Sequence, residues 1–227
     1  MNFWDAHCHY IPGPGSETQV LYNCVIPEDW GSVPVRNGII PFFGIHPWYA
    51  DRKKYDIRIL ERIREYVPEN APWGIGETGL DRLCGLSDPA GQEIFFRRHL
   101  ELALEWRVPV SVHCVRAWDT LPGILRELPA EHPVIMHRFS GSAEIMRQLL
   151  KRNIFFSFSH VIMEERSRVS AQAFQLVPPE KLLLESDSSE LADMEPLYLY
   201  AAEKKGFAAE EFTFIIKKNA ESLFRIS

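Results

Sequence analysis

The 227-residue chain is 46% hydrophobic and 25% charged, an ordinary globular composition, long enough for one large domain or two small ones. A net charge of −6 and a pI near 5.8 argue against a broad electrostatic grip on nucleic acid, though not against a local one in a metal-bearing pocket. No apolar run reaches the roughly 18–20 residues of a membrane span. No basic segment leads into an apolar stretch at the start, and Cys8, Cys24, Cys84 and Cys114 form no C-x-x-C pair. The expectation is a cytoplasmic protein with reduced thiols and no membrane partner.

In chain order the β-rich apolar runs are "NFWDAHCH", "QVLYNCVI", "IIPFFGIH", "PWGIGETG", "VPVSVHC", "PVIMHRFS", "IFFSFS" and "KLLLESD". Helical patterns separate the later ones: Asp56–Tyr66, Pro89–Trp106, Ala117–Leu128, Ala143–Lys151 and Glu164–Leu176, followed by Glu195–Lys205 and a last helix from about Ala209 to Phe224. Within the fourth, Ser142 suits an N-cap, and Ile145 and Leu149 share an apolar face. Eight strands alternating with helices predict an α/β fold, a single (β/α)8 TIM barrel over residues 1–227.

The alternation fails early. Residues 10–19 read "YIPGPGSETQ", and Pro12, Gly13, Pro14 and Gly15 prevent a packed crossover helix there. The second connection, "PEDWGSVPVRNG", is little better. The first one or two outer helices are therefore expected to be shortened or missing. An apolar strip of barrel would then lie uncovered, a surface for a homo-oligomer.

In such a barrel catalytic residues fall at the C-terminal ends of strands. His7 and His9 end the first run and, with a side-chain period of two, point together into the mouth. Glu77 ends the fourth, His113 the fifth, His137 the sixth and Asp187 the eighth. Imidazoles bind borderline cations through a neutral nitrogen, and carboxylates let two divalent ions sit close together. Ions about 3.5–4 Å apart bridge a water and clamp a displacement at phosphorus, and Glu77 is placed to bridge both. Taken one at a time, His113 or His137 also suits a satisfied core histidine, and Glu77 or Asp187 a helix N-cap. As a set they point to a site.

The segments "DAHCH", "GIHP", "GIGETGLD", "GQEIFFRRHLELALEWRVPVSVHC", "HRFSG", "FFSFS" and "LLLESD", in this order, resemble the TatD family of metal-dependent hydrolases across essentially the whole chain. The resemblance implies a TIM barrel that hydrolyses DNA phosphodiesters with divalent metal (Mg, Mn or Zn). It also implies one ion held by His7, His9, Glu77 and Asp187, and a second held by Glu77, His113 and His137. "GIGETG" has no Lys to carboxylate, unlike other amidohydrolase relatives. Three features depart from the family pattern. Arg138 stands where the usual H-C-F-S-G has Cys, Arg116 follows the fifth-strand His after two residues instead of one, and "SDSSE" replaces the usual T-D-A/S-P. The metal ligands match while the rim around the substrate is altered.

Among the remaining residues, Asp5 either orients His7 or His9 or serves the strand ends structurally. His46 in "GIHPWY" is read as catalytic, holding phosphate or water rather than metal, with a purely structural histidine as the alternative. Arg116 and Arg138 match phosphate through their guanidinium forks, or else are solvated rim charges. Trp48, Tyr49 and Trp118 suit either base stacking at the rim or wall packing. His160 is a weaker site candidate, and His99 and His132 are expected at the surface. The leading expectation is a two-metal phosphodiesterase or deoxyribonuclease, acting on DNA or another phosphoester, with Asp187 taking the proton of the attacking water. The alternatives are an amide or lactone hydrolase using the same site, or a non-catalytic barrel.

Overall fold

The structure is a computed structural model that describes residues 2–34, 36–83, 85, 88–164 and 167–225. All eight expected strands are present: β1 (Trp4–Cys8), β2 (Gln19–Asn23), β3 (Ile39–Phe43), β4 (Gly74–Asp81), β5 (Val110–Val115), β6 (Val134–Met136), β7 (Ile154–Phe158) and β8 (Leu182–Leu184). They form one parallel sheet in sequence order. Just past β8 the sheet curls back onto β1. Asp187 N–H donates to His7 O at 2.9 Å and His9 N–H to Ser188 O at 2.8 Å. The result is the expected (β/α)8 barrel, and its closure brings residues from opposite ends of the chain to one rim.

The outer layer is α1 (Pro89–Trp106), α2 (Leu121–Ile124), α3 (Ala143–Leu149), α4 (Arg168–Leu176), α5 (Glu195–Lys205) and α6 (Ala209–Ser222). α1 shows why the helical pattern was readable. Asp88 caps it by accepting from Ala90 N–H, Pro89 starts it, and Phe95, Phe96, Leu100 and Ala103 bury one face. α3 is capped by Ser142 as expected. Two expected helices are weaker than their periodicity suggested. Asp56–Tyr66 is a 3-10 helix, Ile57–Glu65, and Ala117–Leu128 shrinks to α2 and a 3-10 turn. In the latter, Pro122 and Gly123 cannot support a longer α-helix, and Pro129 stops it. Residues 165 and 166, inside the expected fifth helix, lie outside the described residues, as does Cys84. Cys8, Cys24 and Cys114 are buried free thiols.

Among the described residues there is no helix between β1 and β2, and between β2 and β3 only the 3-10 helix Pro27–Ser32, as expected from the Pro/Gly content. The expected bare apolar strip does not follow. Cys8, Tyr10, Val20 and Ile39 form a small cluster of buried side chains there, with Val33 and Ala192 packed against it. The connections fold back over the strands and cover this part of the barrel wall. Among the described residues no helix is long and apolar enough to cross a membrane.

Candidate metal centre

The site is built around Glu77, which is 2% exposed. Glu77 does not end its strand as the sequence suggested, because β4 runs on to Asp81. The register of β4 against β5 shifts between Ile75 and Thr78, and Gly76 (φ 150°) and Gly79 (φ 139°) take backbone conformations closed to other residues. This irregularity belongs with a carboxylate set in the barrel axis rather than in the wall.

Five imidazoles converge on that carboxylate. His7 Nε2 is 3.2 Å and His9 Nε2 3.7 Å from Oε2. His113 Nδ1 is 2.8 Å, His137 Nε2 2.9 Å and His46 Nε2 3.3 Å from Oε1. The nitrogens also face one another: His7 Nε2 and His9 Nε2 are 3.3 Å apart, and His113 Nδ1 and His137 Nε2 3.2 Å. Asp187 Oδ1 joins the first pair, 3.8 Å from His9 Nε2. All six residues expected to bind metal are thus brought together. The donor atoms of His7, His9 and Asp187 lie within 4.8 Å of one another.

Hydrogen-bond partners decide which nitrogen of each ring carries its proton. His9 Nδ1 donates to the carbonyl of Asn23 at 2.9 Å, which leaves a lone pair on Nε2 facing Glu77. His113 Nε2 donates to Asp81 Oδ2 at 3.1 Å, leaving Nδ1 free toward Glu77 and His137. His46 is the reverse. Trp48 N–H donates to its Nδ1 at 3.1 Å, so the neutral ring carries its proton on Nε2 and donates to Glu77. His46 thus meets the site as a hydrogen-bond donor to Glu77, although its ring, Glu77 and His113 also offer three donor atoms within 4.8 Å of one another.

Electrostatics agree. Burial lowers the His7 ring to about 3 and also lowers His46, so both are neutral at ordinary pH. Burial also opposes charge on His113 and His137, but nearby carboxylates outweigh it. Asp81 and Glu77 raise His113, and Glu77 and Glu185 raise His137 well above its ordinary value. The same burial would raise the Glu77 carboxyl, yet His46, His137 and His7 hold it well below the carboxylate range. A buried anion ringed by imidazole lone pairs calls for positive charge at its centre. Protons supply it in the bare protein, and divalent cations fit the same donor set.

Two functional side chains escaped the sequence reading although both lie inside quoted segments. Asp81, at the end of "GIGETGLD", holds the far nitrogen of His113 and accepts from Trp48 Nε1 at 2.7 Å. Burial notwithstanding, those hydrogen bonds hold its carboxyl below the usual range. Gln92 of α1 brackets its backbone, accepting from Asp81 N–H and donating to Asp81 O. Glu185, in "LLLESD", is completely buried. It accepts the Ser157 hydroxyl and sets Oε1 3.5 Å from His137 Nδ1. Each is a carboxylate behind a histidine of the second expected ion, the arrangement that orients ligating imidazoles.

The other candidates separate clearly. Asp5 is buried and accepts from Ser186 N–H (2.9 Å), Ser186 Oγ (2.6 Å), Tyr10 Oη (3.1 Å) and His7 N–H (3.3 Å). It ties β1 to the segment after β8 and touches neither imidazole ring; burial raises its carboxyl to about 6. His99 and His132 are buried, not at the surface. His99 bridges β4 and α1 through Thr78 Oγ1 and Phe95 O while accepting from Ile45 N–H, and His132 meets Val108 O. The spacing of His99 from Phe95 and Ala103, four residues each way, places it on the buried face of α1, a signal the surface expectation overlooked.

The mouth has two adjoining chambers. One, of about 410 Å³, is lined by His9, Tyr22, His46, Trp48, Tyr49 and Asp187. The other, of about 260 Å³, is lined by Phe139, Phe158, Val161 and Ile162. His113, His137 and Arg138 border both. Arg116 is exposed and borders neither. Trp118 packs edge-on against Phe139, 5.0 Å between ring centres, and serves the wall.

A family model described as "TatD related DNase" matches residues 33–225. The chain belongs to the TatD family of metal-dependent hydrolases. It is 33% identical over 181 residues to the "uncharacterized metal-dependent hydrolase YabD" of Bacillus subtilis, covering 74% of this chain and 71% of that one. It is 29% identical over 202 residues to the "3'-5' ssDNA/RNA exonuclease TatD" of Pantoea vagans, covering 81% and 77% respectively. The structure of the TatD homologue YJJV from Escherichia coli superposes with a TM-score of 0.82, covering 100% of this chain and 99% of that one. At 21% identity that likeness bears on the TatD barrel alone.

Proposed function

We propose that this TatD-family chain hydrolyses phosphodiesters at the ends of single-stranded nucleic acid, using two divalent cations. One cation is held by His7, His9, Glu77 and Asp187, the other by Glu77, His113 and His137. The observation that carries this reading is the pairing of imidazole nitrogens, 3.3 and 3.2 Å apart, on the two oxygens of one buried carboxylate. An imidazole-rich donor set favours Zn over Mg, and Mn serves as the spectroscopically visible probe. When bound, such cations polarise a phosphoryl oxygen and lower the pKa of the attacking water.

The protein's own groups supply the rest. Asp187, 15% exposed at the rim, accepts the water's proton. His46 donates to Glu77 Oε1 and keeps that oxygen aimed inward. Arg138, which borders both chambers, meets the phosphate; Arg116 stands away from them. Trp48 and Tyr49, 43% and 38% exposed, offer ring faces to a base. The name of the Pantoea vagans relative supports a single-stranded substrate.

The test is hydrolysis of a labelled single strand, its duplex, a chromogenic phosphodiester and an N-acyl amino acid, with and without Mn²⁺, across a salt series. Cation-dependent trimming of the single strand with a shallow salt dependence is expected, since few phosphates are gripped. Steep salt dependence with internal duplex cleavage, or turnover of the amide alone, would overturn the proposal.

A further inference from the structure

The two cation positions are not electrostatically equal. Around Glu77, Asp81 and Glu185 the partners described above are histidine, serine and tryptophan side chains. Asp187 instead carries a guanidinium: Arg138 Nη1 lies 2.7 Å from its Oδ2, while Oδ1 turns toward His9. Both residues hold left-handed backbone, φ 44° for Arg138 and 52° for Asp187. A fixed positive charge therefore already sits on a carboxylate assigned to the first cation. Arg138 is 57% exposed, so water competes for the contact and it can be displaced.

We propose that Arg138 is an internal rival for the cation held at Asp187. The His7/His9/Asp187 position is thereby the weaker of the two and fills only as free divalent cation rises. Occupation of that position releases the guanidinium toward the chamber it borders, where a phosphate oxygen replaces the carboxylate as its partner. One residue thus couples cation supply to substrate grip, and it stands where the family pattern has an uncharged Cys. The inference rests on the two-cation reading above.

Mn²⁺ titration of the full chain, followed by calorimetry and by the paramagnetic signal of free Mn²⁺, tests it without any activity measurement. The wild type should show two unequal classes, or one tight class with a second too weak to saturate. Arg138→Met should tighten the weaker class roughly three- to tenfold, or make it appear, with the tight class unmoved. Arg138→Lys should stay near the wild type, because the charge is kept. In a His9→Ala background, where the weaker position has lost a ligand, Arg138→Met should change nothing. Two classes that ignore Arg138→Met, or an equal gain in both, would overturn the rivalry and leave the two-cation reading standing. No Mn²⁺ binding by the wild type or Arg138→Met would overturn both.

Discussion

Replacing Asp81 by Asn tests what the carboxylate behind His113 contributes. The substitution keeps an oxygen able to accept from His113 Nε2 and Trp48 Nε1, bonds of 3.1 and 2.7 Å, removes the charge, and sets an NH2 group against the Leu83 N–H that the second oxygen accepts at 2.8 Å. A hydrogen bond to an ionised acceptor contributes about 1.5–3 kcal/mol against about 0.5–1.5 for a neutral one, so roughly 1–2 kcal/mol is lost at this buried position. The loss falls on the basicity and orientation of the His113 ring, and corresponds to about 5–30-fold weaker binding of the cation at His113. Mn²⁺ titration should show that drop in one class only, with the melting curve little changed and hydrolysis at limiting Mn²⁺ reduced in step. Trp48→Phe, which removes a donor to Asp81 but leaves its charge, should keep cation affinity within about twofold. Unchanged Mn²⁺ affinity in Asp81→Asn would refute the role given to Asp81.

Glu77→Gln should weaken both cation classes together, because each oxygen of Glu77 serves a different imidazole pair; an anomalous-scattering map with one position still full would contradict the shared role. His99 predicts a pH-dependent stability. Burial lowers it from 6.5 to about 4, so the unfolded chain binds a proton that the folded chain refuses. Its contribution is complete above about pH 6.5 and is lost as pH falls toward 4, roughly 3 kcal/mol in all. Thermal melts should therefore fall less steeply over that window in His99→Gln than in the wild type, and parallel curves would discount the histidine. At Gly79 (φ 139°) an added Cβ would lie 2.0 Å from His113 O, so Gly79→Ala should cost at least about 3 kcal/mol or prevent folding. Gly13→Ala, with nothing within 4 Å of the new carbon, should melt like the wild type.

Much of this protein was readable along the chain because its information is local. Strand runs alternate with helical patterns, and those periods give eight strands with their bounds within a few residues. Pro12, Gly13, Pro14 and Gly15 state that no helix follows β1. The six residues gathered on or around Glu77 were recoverable because each lies at or near the C-terminal end of an apolar run. In a barrel, all those ends share one rim.

What the order of residues could not express depends on contacts between distant segments. Whether His9 presents Nε2 is decided by a carbonyl on β2, and whether His113 presents Nδ1 by a carboxylate on β4. That His46 turns a proton-bearing Nε2 to Glu77 is decided by the backbone N–H of Trp48, two residues away but in a turn no periodicity reveals. His99 was misplaced at the surface although its spacing of four from Phe95 and from Ala103 sets it on α1's apolar face; what docking decided is its partners, Thr78 and Ile45. The expected apolar strip vanished because irregular loops, which have no period, fold over it. Arg138 meets Asp187 across 49 positions of sequence only after the sheet closes. Periodicity reports which way a side chain points from its own strand or helix. The proton-bearing nitrogen, the rival cation and the carboxylate behind each ring are set by partners on neighbouring strands, turns and strand ends that the folded barrel brings within 4 Å.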